Sequence, residues 1–251
     1  GAEAAVFHQH AHCDARCRRR REGDEPGMIA QPLGHGLAVI ARILRHAGKE
    51  RSRVIHLGDL IDRGPNSRGA IEAAMALQAA VPANIEVLAL KGNHEQMMLD
   101  AVDAPGTRAE KWWLFNGGRE TLRSYGLASD PLPLDWPTAV PPAHIEWLRA
   151  LPTRYIVDRP KLVFVHAGID PDAFPNCDPA ISLWTKSTRF LETRTWPQRR
   201  ELEGLIVVHG HNALRIPVPE VEPRRINVDT GAGFGGPLSA AVLAPGRDAT
   251  F

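Results

Sequence analysis

No stretch of the 251-residue chain approaches the roughly 18 consecutive apolar residues that a membrane span requires. No basic segment followed by an apolar one opens it, as a secretory leader would. Charge of one sign is also missing: 30 Lys and Arg stand against 29 Asp and Glu, a net of +1, which is too balanced for a general polyanion binder. Neither a membrane nor a nucleic-acid partner is therefore expected. Cysteine is scarce. Cys13, Cys17 and Cys177 are an odd number in a chain long enough to bury a core without staples, which points to free thiols, a reducing compartment and a cytoplasmic location. Internal repeats and low-complexity tracts are absent, and a hydrophobic share of 43% excludes a disordered chain. What is left is an α/β protein of one large domain or two small ones, with eleven histidines to explain.

Residues 1–28 differ from the rest. They hold His8, His10, His12, Cys13, Cys17 and the run Arg18-Arg19-Arg20-Arg21 without a helical or strand period, and read as an atypical segment outside the ordered domain. The His/Cys group superficially suggests zinc, but structural zinc sites bring two ligand pairs around a folded knuckle. The arginine run reads as a solvated charge run. Residues 29–251 read as a single domain. Leu37, Ile40, Ile43 and Leu44 recur at helical spacing. Val54 to Leu57 and Ile85 to Leu90 are short apolar strands, with a helix between them over Arg68 to Ala80 that Pro82 ends. Residues 108–126 are expected to be helical with a break at Gly117-Gly118, and Ala143 to Leu151 form a short helix. Strands then dominate: Leu162 to Val165, Leu205 to Val208, Arg225 to Val228 and Ser239 to Leu243. Alternating elements early and clustered strands late predict mixed sheets covered by helices.

Four of these strands stop at groups that bind metals. The runs are Gly58-Asp59-Leu60-Ile61-Asp62-Arg63-Gly64, Gly92-Asn93-His94-Glu95, His166-Ala167-Gly168 and His209-Gly210-His211-Asn212. Loops at strand ends, held by a rigid sheet, are where open α/β proteins place their chemistry. One Gly-Asp after a strand is a turn more often than a site; four such runs in order, each directly after an apolar strand, are not a chance pattern. Carboxylate, amide and imidazole together suit Mn, Fe or Zn better than thiolate-seeking ions.

GDLIDRG, GNHE, HAG and GHN, in that order, resemble the calcineurin-like metallophosphoesterases, and in particular the phosphoprotein phosphatase family with its bacterial serine/threonine phosphatases and diadenosine tetraphosphatase relatives. The resemblance covers about residues 37–244 and extends to Trp113 to Gly118, Leu183 to Lys186 and Ile226 to Ala232. It implies a central β-sandwich of mixed sheets flanked by helices, with a helical insertion over about 100–150. It implies two divalent ions, Mn first and Fe, Zn or Mg as alternatives, bridged by Asp59 and sharing the attacking water. Asn93, His166 and His211 match the remaining ligands of the second ion. His94 matches the general acid, with Asp62 orienting it; a salt bridge from Asp62 to Arg63 is the plain alternative. Arg63 matches the arginine that grips the phosphate, and Asn93 also matches a phosphate contact. Lys186 stands where many bacterial relatives carry arginine, so it keeps the charge but loses the bidentate fork; Arg189 is a possible substitute. Glu95 reads as a local cap or pair, and His56 and His209 as core or surface residues. Asp229 reads as ordering its own turn.

The family's first motif, Gly-Asp-x-His-Gly, is missing. Gly34-His35-Gly36 keeps the histidine, making His35 a candidate ligand, but puts Leu33 at the aspartate position; Gly23-Asp24-Glu25-Pro26-Gly27 keeps the aspartate but not the histidine. Three explanations stand: a divergent and weak first metal site, substitute ligands among His8, His10, His12 and Asp14, or an N-terminus that is out of frame. The expected activity is hydrolysis of phosphomonoesters, first phosphoserine and phosphothreonine in proteins. The alternatives are a symmetrical dinucleoside polyphosphate hydrolase and a degenerate member that binds phosphate without turnover. Partners are accordingly a phosphorylated protein or a small phosphoester.

Overall fold

The computed structural model describes residues 3–7, 51–244 and 246–251. Nine strands are named among these residues: β1 Glu3–Phe7, β2 Ser52–His56, β3 Ile85–Ala89, β4 Arg154–Asp158, β5 Lys161–Val165, β6 Ile206–His209, β7 Glu220–Glu222, β8 Arg225–Asn227 and β9 Ala240–Leu243. They form a four-stranded sheet in the order β3-β2-β1-β9 and a five-stranded sheet in the order β4-β5-β6-β8-β7. In the first, β1, β2 and β3 are parallel and β9 runs against β1. In the second, β5, β6 and β8 are parallel, and the antiparallel β4 and β7 close the edges.

Alternation along the strands makes the sheets a sandwich. Leu162 and Phe164 pack with Ile55, Leu57, Leu90, Val208 and Ala241, a core drawn from both sheets. The intervening Val163 and Val165 point the other way, against Phe174, Phe190, Trp196 and Leu202. The helical cover begins with α1 Ser67–Ala79, α2 Asn93–Asp103, α3 Arg108–Trp113, α4 Arg119–Ser124 and α5 Pro142–Ala150. These share a core of Ile71, Met97, Met98, Trp113, Leu122 and Leu148 with Ala89 of β3. α1 starts where Asn66 accepts the Gly69 N–H at 3.0 Å, a side-chain N-cap. The central sandwich of mixed sheets flanked by helices is the architecture that the sequence led us to expect.

Three details differ from the sequence reading. Glu3–Phe7 is a strand inside the first sheet, paired on both sides, so the boundary expected at residue 28 does not hold for these five residues. β4 and β7 were not expected. Two short helices, α6 Pro179–Trp184 and α7 Thr188–Leu191, lie between the strands expected at Leu162 to Val165 and Leu205 to Val208, where no element was expected. The break expected at Gly117-Gly118 is present: α3 and α4 flank Gly117, whose φ of 113° no helix accommodates. The helix at Leu37 to Leu44, the zinc-like His/Cys group and both remnants of the first motif lie outside the described residues.

Candidate active site

Each motif begins where a parallel strand stops. Asp59 follows β2, Asn93 and His94 open α2 just after β3, His166 follows β5 directly and His211 lies two residues beyond β6. The two loops of the first sheet touch backbone to backbone: a Cβ on Gly58 would lie 2.4 Å from the Gly92 nitrogen, and one on Gly92 would lie 2.2 Å from Asp59 Oδ1. Only glycine permits that approach. Glu95, on the first turn of α2, accepts the N–H groups of Asp59 at 2.8 Å, Leu60 at 2.6 Å and Gly92 at 2.8 Å. It is thus a local cap that also stitches the Asp59 loop to α2. Burial, and after it the negative charge of Asp59, raises its pKa to about 7.

Among the described residues, the non-glycine residues with positive φ are Asp59 (57°), Asp62 (68°), Arg63 (60°) and His211 (61°). All four belong to the motifs. Left-handed backbone at such residues costs about 1–3 kcal/mol each, so strain is concentrated in these loops.

Asp59, His166 and His211 bring ligand atoms within 4.8 Å of one another. His166 Nε2 lies 2.8 Å from Asn93 Oδ1, 3.1 Å from His211 Nδ1 and 3.5 Å from Asp59 Oδ1. His211 Nδ1 is in turn 3.0 Å from Asn93 Oδ1. On its far side His166 Nδ1 is 2.8 Å from the Leu57 carbonyl, which can only accept, so Nδ1 carries the proton and Nε2 presents a lone pair. The lone pair of His166 Nε2 therefore faces the oxygens of Asn93 and Asp59, acceptor against acceptor, at close range in a buried pocket. A cation at their centre removes that repulsion, and the mixed oxygen and nitrogen donor set suits a borderline divalent ion.

Beside this cluster His94 Nδ1 lies 2.6 Å from Asp62 Oδ2. Burial works against protonation of His94, but the carboxylates of Asp59 and Asp62 outweigh it and its pKa is raised. Asp62 is wrapped by donors: the Trp113 indole at 3.0 Å from both oxygens and the Thr121 hydroxyl at 2.6 Å. The His94 backbone N–H also reaches Asp59 Oδ1 at 3.2 Å, which ties the imidazole's helix to the ligand cluster. Arg63 donates its backbone N–H to the Gly117 carbonyl at 3.2 Å and lays its guanidinium 4.7 Å from the Phe234 ring centroid.

The structure thus brings together Asp59, Asn93, His166 and His211, with the His94–Asp62 pair alongside. Lys186 is exposed, and among the described residues no contact joins it to the cluster. Arg189 is not a substitute, because its fork is taken by Asp172 at 2.8 and 2.7 Å. His56 and His209 are buried, the latter against Phe190, which favours the core reading for both. Asp229 accepts the Gly231 N–H at 3.0 Å and orders its own turn. His35 lies outside the described residues. Trp113 and Thr121 were not singled out as site residues; only the recurring Trp-Leu-Phe-Asn-Gly-Gly piece hinted at the first.

Residues 33–235 match the family described as calcineurin-like phosphoesterase. Among curated proteins, the bis(5'-nucleosyl)-tetraphosphatase PrpE [asymmetrical] of Bacillus thuringiensis (strain Al Hakam) is 26% identical over 204 residues, covering 76% of this chain and 75% of that one. The Bacillus anthracis (strain CDC 684 / NRRL 3495) protein of the same name is 27% identical over 204 residues with the same coverage. Among solved structures, a candidate diadenosine tetraphosphatase superposes with a TM-score of 0.59 at 18% identity, covering 99% of this chain and 91% of its own. A cold-active protein-tyrosine phosphatase of a Shewanella species gives 0.57 at 15% identity, covering 98% and 76%. The match spans most of the chain and takes in every motif whose geometry is described above: this protein belongs to the calcineurin-like phosphoesterases, a family of hydrolases.

Proposed function

We propose that Asp59, Asn93, His166 and His211 hold divalent metal, Mn first, and that His94, oriented by Asp62, protonates the oxygen leaving a phosphoester. The observation that carries this reading is the convergence of Asp59 Oδ1, Asn93 Oδ1 and His211 Nδ1 on His166 Nε2, at 3.5, 2.8 and 3.1 Å, directly beside a buried imidazole–carboxylate pair. When bound, divalent ions supply an acidified water and neutralise phosphoryl charge. The chain's own part is distinct. Asp62 uses Nδ1 of His94 and leaves Nε2 for the leaving oxygen, while Arg63 offers a planar fork to the phosphate. The substrate is a phosphomonoester or a phosphoanhydride. Phosphoserine and phosphothreonine were the first expectation; the relatives named bis(5'-nucleosyl)-tetraphosphatase favour the dinucleoside polyphosphate instead. Those names specify asymmetrical cleavage, so unequal nucleotide products replace the equal ones of the symmetrical expectation.

β1 bears on the missing motif. Phe7 pairs with His56, so the chain leaves β1 at the same edge and the same level at which β2 delivers Asp59. His8-Gln9-His10 come next in the sequence, which supports substitute ligands over an out-of-frame N-terminus and over a non-catalytic member. Calorimetric titration with Mn of the metal-free protein is expected to give about two ions per chain, and His10→Ala about one. Hydrolysis of diadenosine tetraphosphate or phosphoserine peptide that continues undiminished in chelator would overturn the metal-dependent reading.

A further inference from the structure

The described residues with an exposed aromatic side chain are Trp112, Phe115, Trp184, Phe234 and Phe251. Phe234 and Trp184 each touch a site residue, and Trp112 and Phe115 lie on the segment that packs against Arg63 through Gly117. Phe234 carries the Arg63 guanidinium over its ring at 4.7 Å and is still 70% exposed. Trp184 meets the His211 ring edge-on at 6.3 Å. Trp112 and Phe115 stack on each other at 6.1 Å, and Phe115 is 82% exposed. Phe115 also lies two residues before Gly117, which packs on Arg63 so tightly that a Cβ there would come 2.8 Å from Arg63 Cγ. Single exposed apolar residues are ordinary, but a set gathered around one charged site is not.

Phe234 is also held in place. It ends a short turn between two left-handed glycines, Gly231 at φ 79° and Gly235 at φ 87°. Its N–H goes to the Gly231 carbonyl at 2.8 Å, and the Gly236 N–H goes to the same oxygen at 2.9 Å. Thr230 fastens the base of the turn through the Pro237 carbonyl at 2.7 Å. A rigid aromatic with one face on arginine and the rest in solvent is a stacking platform. Arg63 thus has Phe234 at its guanidinium, and Gly117 at its stem belongs to the same short segment that carries the Trp112–Phe115 pair.

We infer that Phe234 and the Trp112–Phe115 pair are specificity-determining residues that stack nucleobases, so the substrate's phosphates are flanked by a nucleoside on at least one side. This rests on the phosphoesterase reading above. A seryl or threonyl phosphate brings no ring. A tyrosyl phosphate brings one bonded directly to the ester oxygen, which belongs at the reacting centre rather than beyond Arg63. A base set off from its phosphate by a sugar has the reach to meet the rim.

The test separates base recognition from phosphate recognition by comparing AMP with ribose 5-phosphate. On the Mn-loaded protein, titration followed by calorimetry is expected to show AMP binding about 10-fold tighter than ribose 5-phosphate, in line with one base on an aromatic face. In Phe234→Leu, which keeps the bulk but loses the π face, the ratio should fall toward one, and Phe234→Trp should restore it. Phe115→Ala alone should lower it by a smaller factor. In hydrolysis, Phe234→Leu should raise KM for diadenosine tetraphosphate several-fold more than KM for a phosphoserine or phosphotyrosine peptide, with kcat less affected. Equal affinity for AMP and ribose 5-phosphate in the parent protein overturns the inference. So does an equal loss on all three substrates, which would leave Phe234 only a support for Arg63. If no phosphoester is hydrolysed at all, the phosphoesterase reading fails while the binding ratio still decides the inference.

Discussion

Asp59 and Asp62 sit in one loop, both buried and both in a left-handed backbone conformation, yet their oxygens meet opposite company. Asp62 is surrounded by donors, Trp113, Thr121 and a His94 whose pKa is raised. Asp59 Oδ1 accepts one backbone N–H, from His94 at 3.2 Å, but it also faces the lone pair of His166 Nε2 and lies near the buried carboxylate of Glu95, whose pKa it helps to raise. A carboxylate satisfied by the protein's own side-chain donors positions something; a carboxylate facing lone pairs and a second carboxylate suits a cation. The two residues look alike in sequence, and the surroundings supplied by the fold tell them apart.

The largest expected effect follows from that contrast. Asp59→Asn should abolish hydrolysis, a loss of at least about 10⁴-fold, because the charge that offsets the metal's is gone. The metal-free variant should nevertheless melt no lower than the parent, since a neutral amide among acceptors relieves repulsion. Calorimetry should find metal stoichiometry falling from about two to near zero. A stoichiometry that survives the change would show that Asp59 is not the shared ligand.

His94→Ala comes next, with kcat reduced by roughly 10²–10⁴-fold, the range for lost acid–base help. The loss should shrink for an aryl phosphate with a very good leaving group, which needs no proton. An equal loss for aryl phosphate and for diadenosine tetraphosphate would remove His94 from the acid role.

Asp62→Asn should behave in the opposite way to Asp59→Asn. The new amide turns a donor toward the Trp113 indole or the Thr121 hydroxyl, and leaving one such buried group unpaired costs about 1–3 kcal/mol. The metal-free variant should therefore unfold at lower urea, while its metal stoichiometry is kept. If both aspartate variants destabilise the metal-free protein equally, the donor–acceptor contrast does not hold.

The residues on which these tests rest were legible to different degrees. The motif runs were readable because chemistry demands particular residue types at particular spacings, and the apolar strands before them were short, β-branched and ended by glycine. Trp113 and Thr121 were not readable as partners of Asp62: they lie 51 and 59 residues away in the chain, and nothing local marks a donor aimed at a distant carboxylate. β1 was missed for another reason. Glu-Ala-Ala-Val-Phe is alanine-rich and weak in strand propensity, and only pairing between β2 and β9 makes it a strand. β7, three residues of Glu-Val-Glu, is an edge that propensity alone does not predict. Arg189 shows the limit of reading roles by position, because its partner Asp172 was invisible until the loops were folded.

The smallest expected effect extends the same contrast to two buried histidines. His94 has carboxylate neighbours and a raised pKa; His56 is fully buried, and desolvation pushes its pKa down to about 3 from an ordinary 6.5. For His56 the unfolded chain takes up a proton below pH 6.5 that the folded protein refuses until about pH 3. Its contribution to stability is therefore complete above pH 6.5 and declines as the pH falls, by up to about 1.4 kcal/mol per unit. Urea unfolding of the metal-free protein at pH 7 and again near pH 5.5 should show this decline. His56→Gln has nothing to titrate and should lose about 1 kcal/mol less than the parent over that interval, even if it starts from a lower stability at pH 7. If the two proteins lose stability in parallel, the acid sensitivity belongs to other groups, and burial does not set the titration of His56.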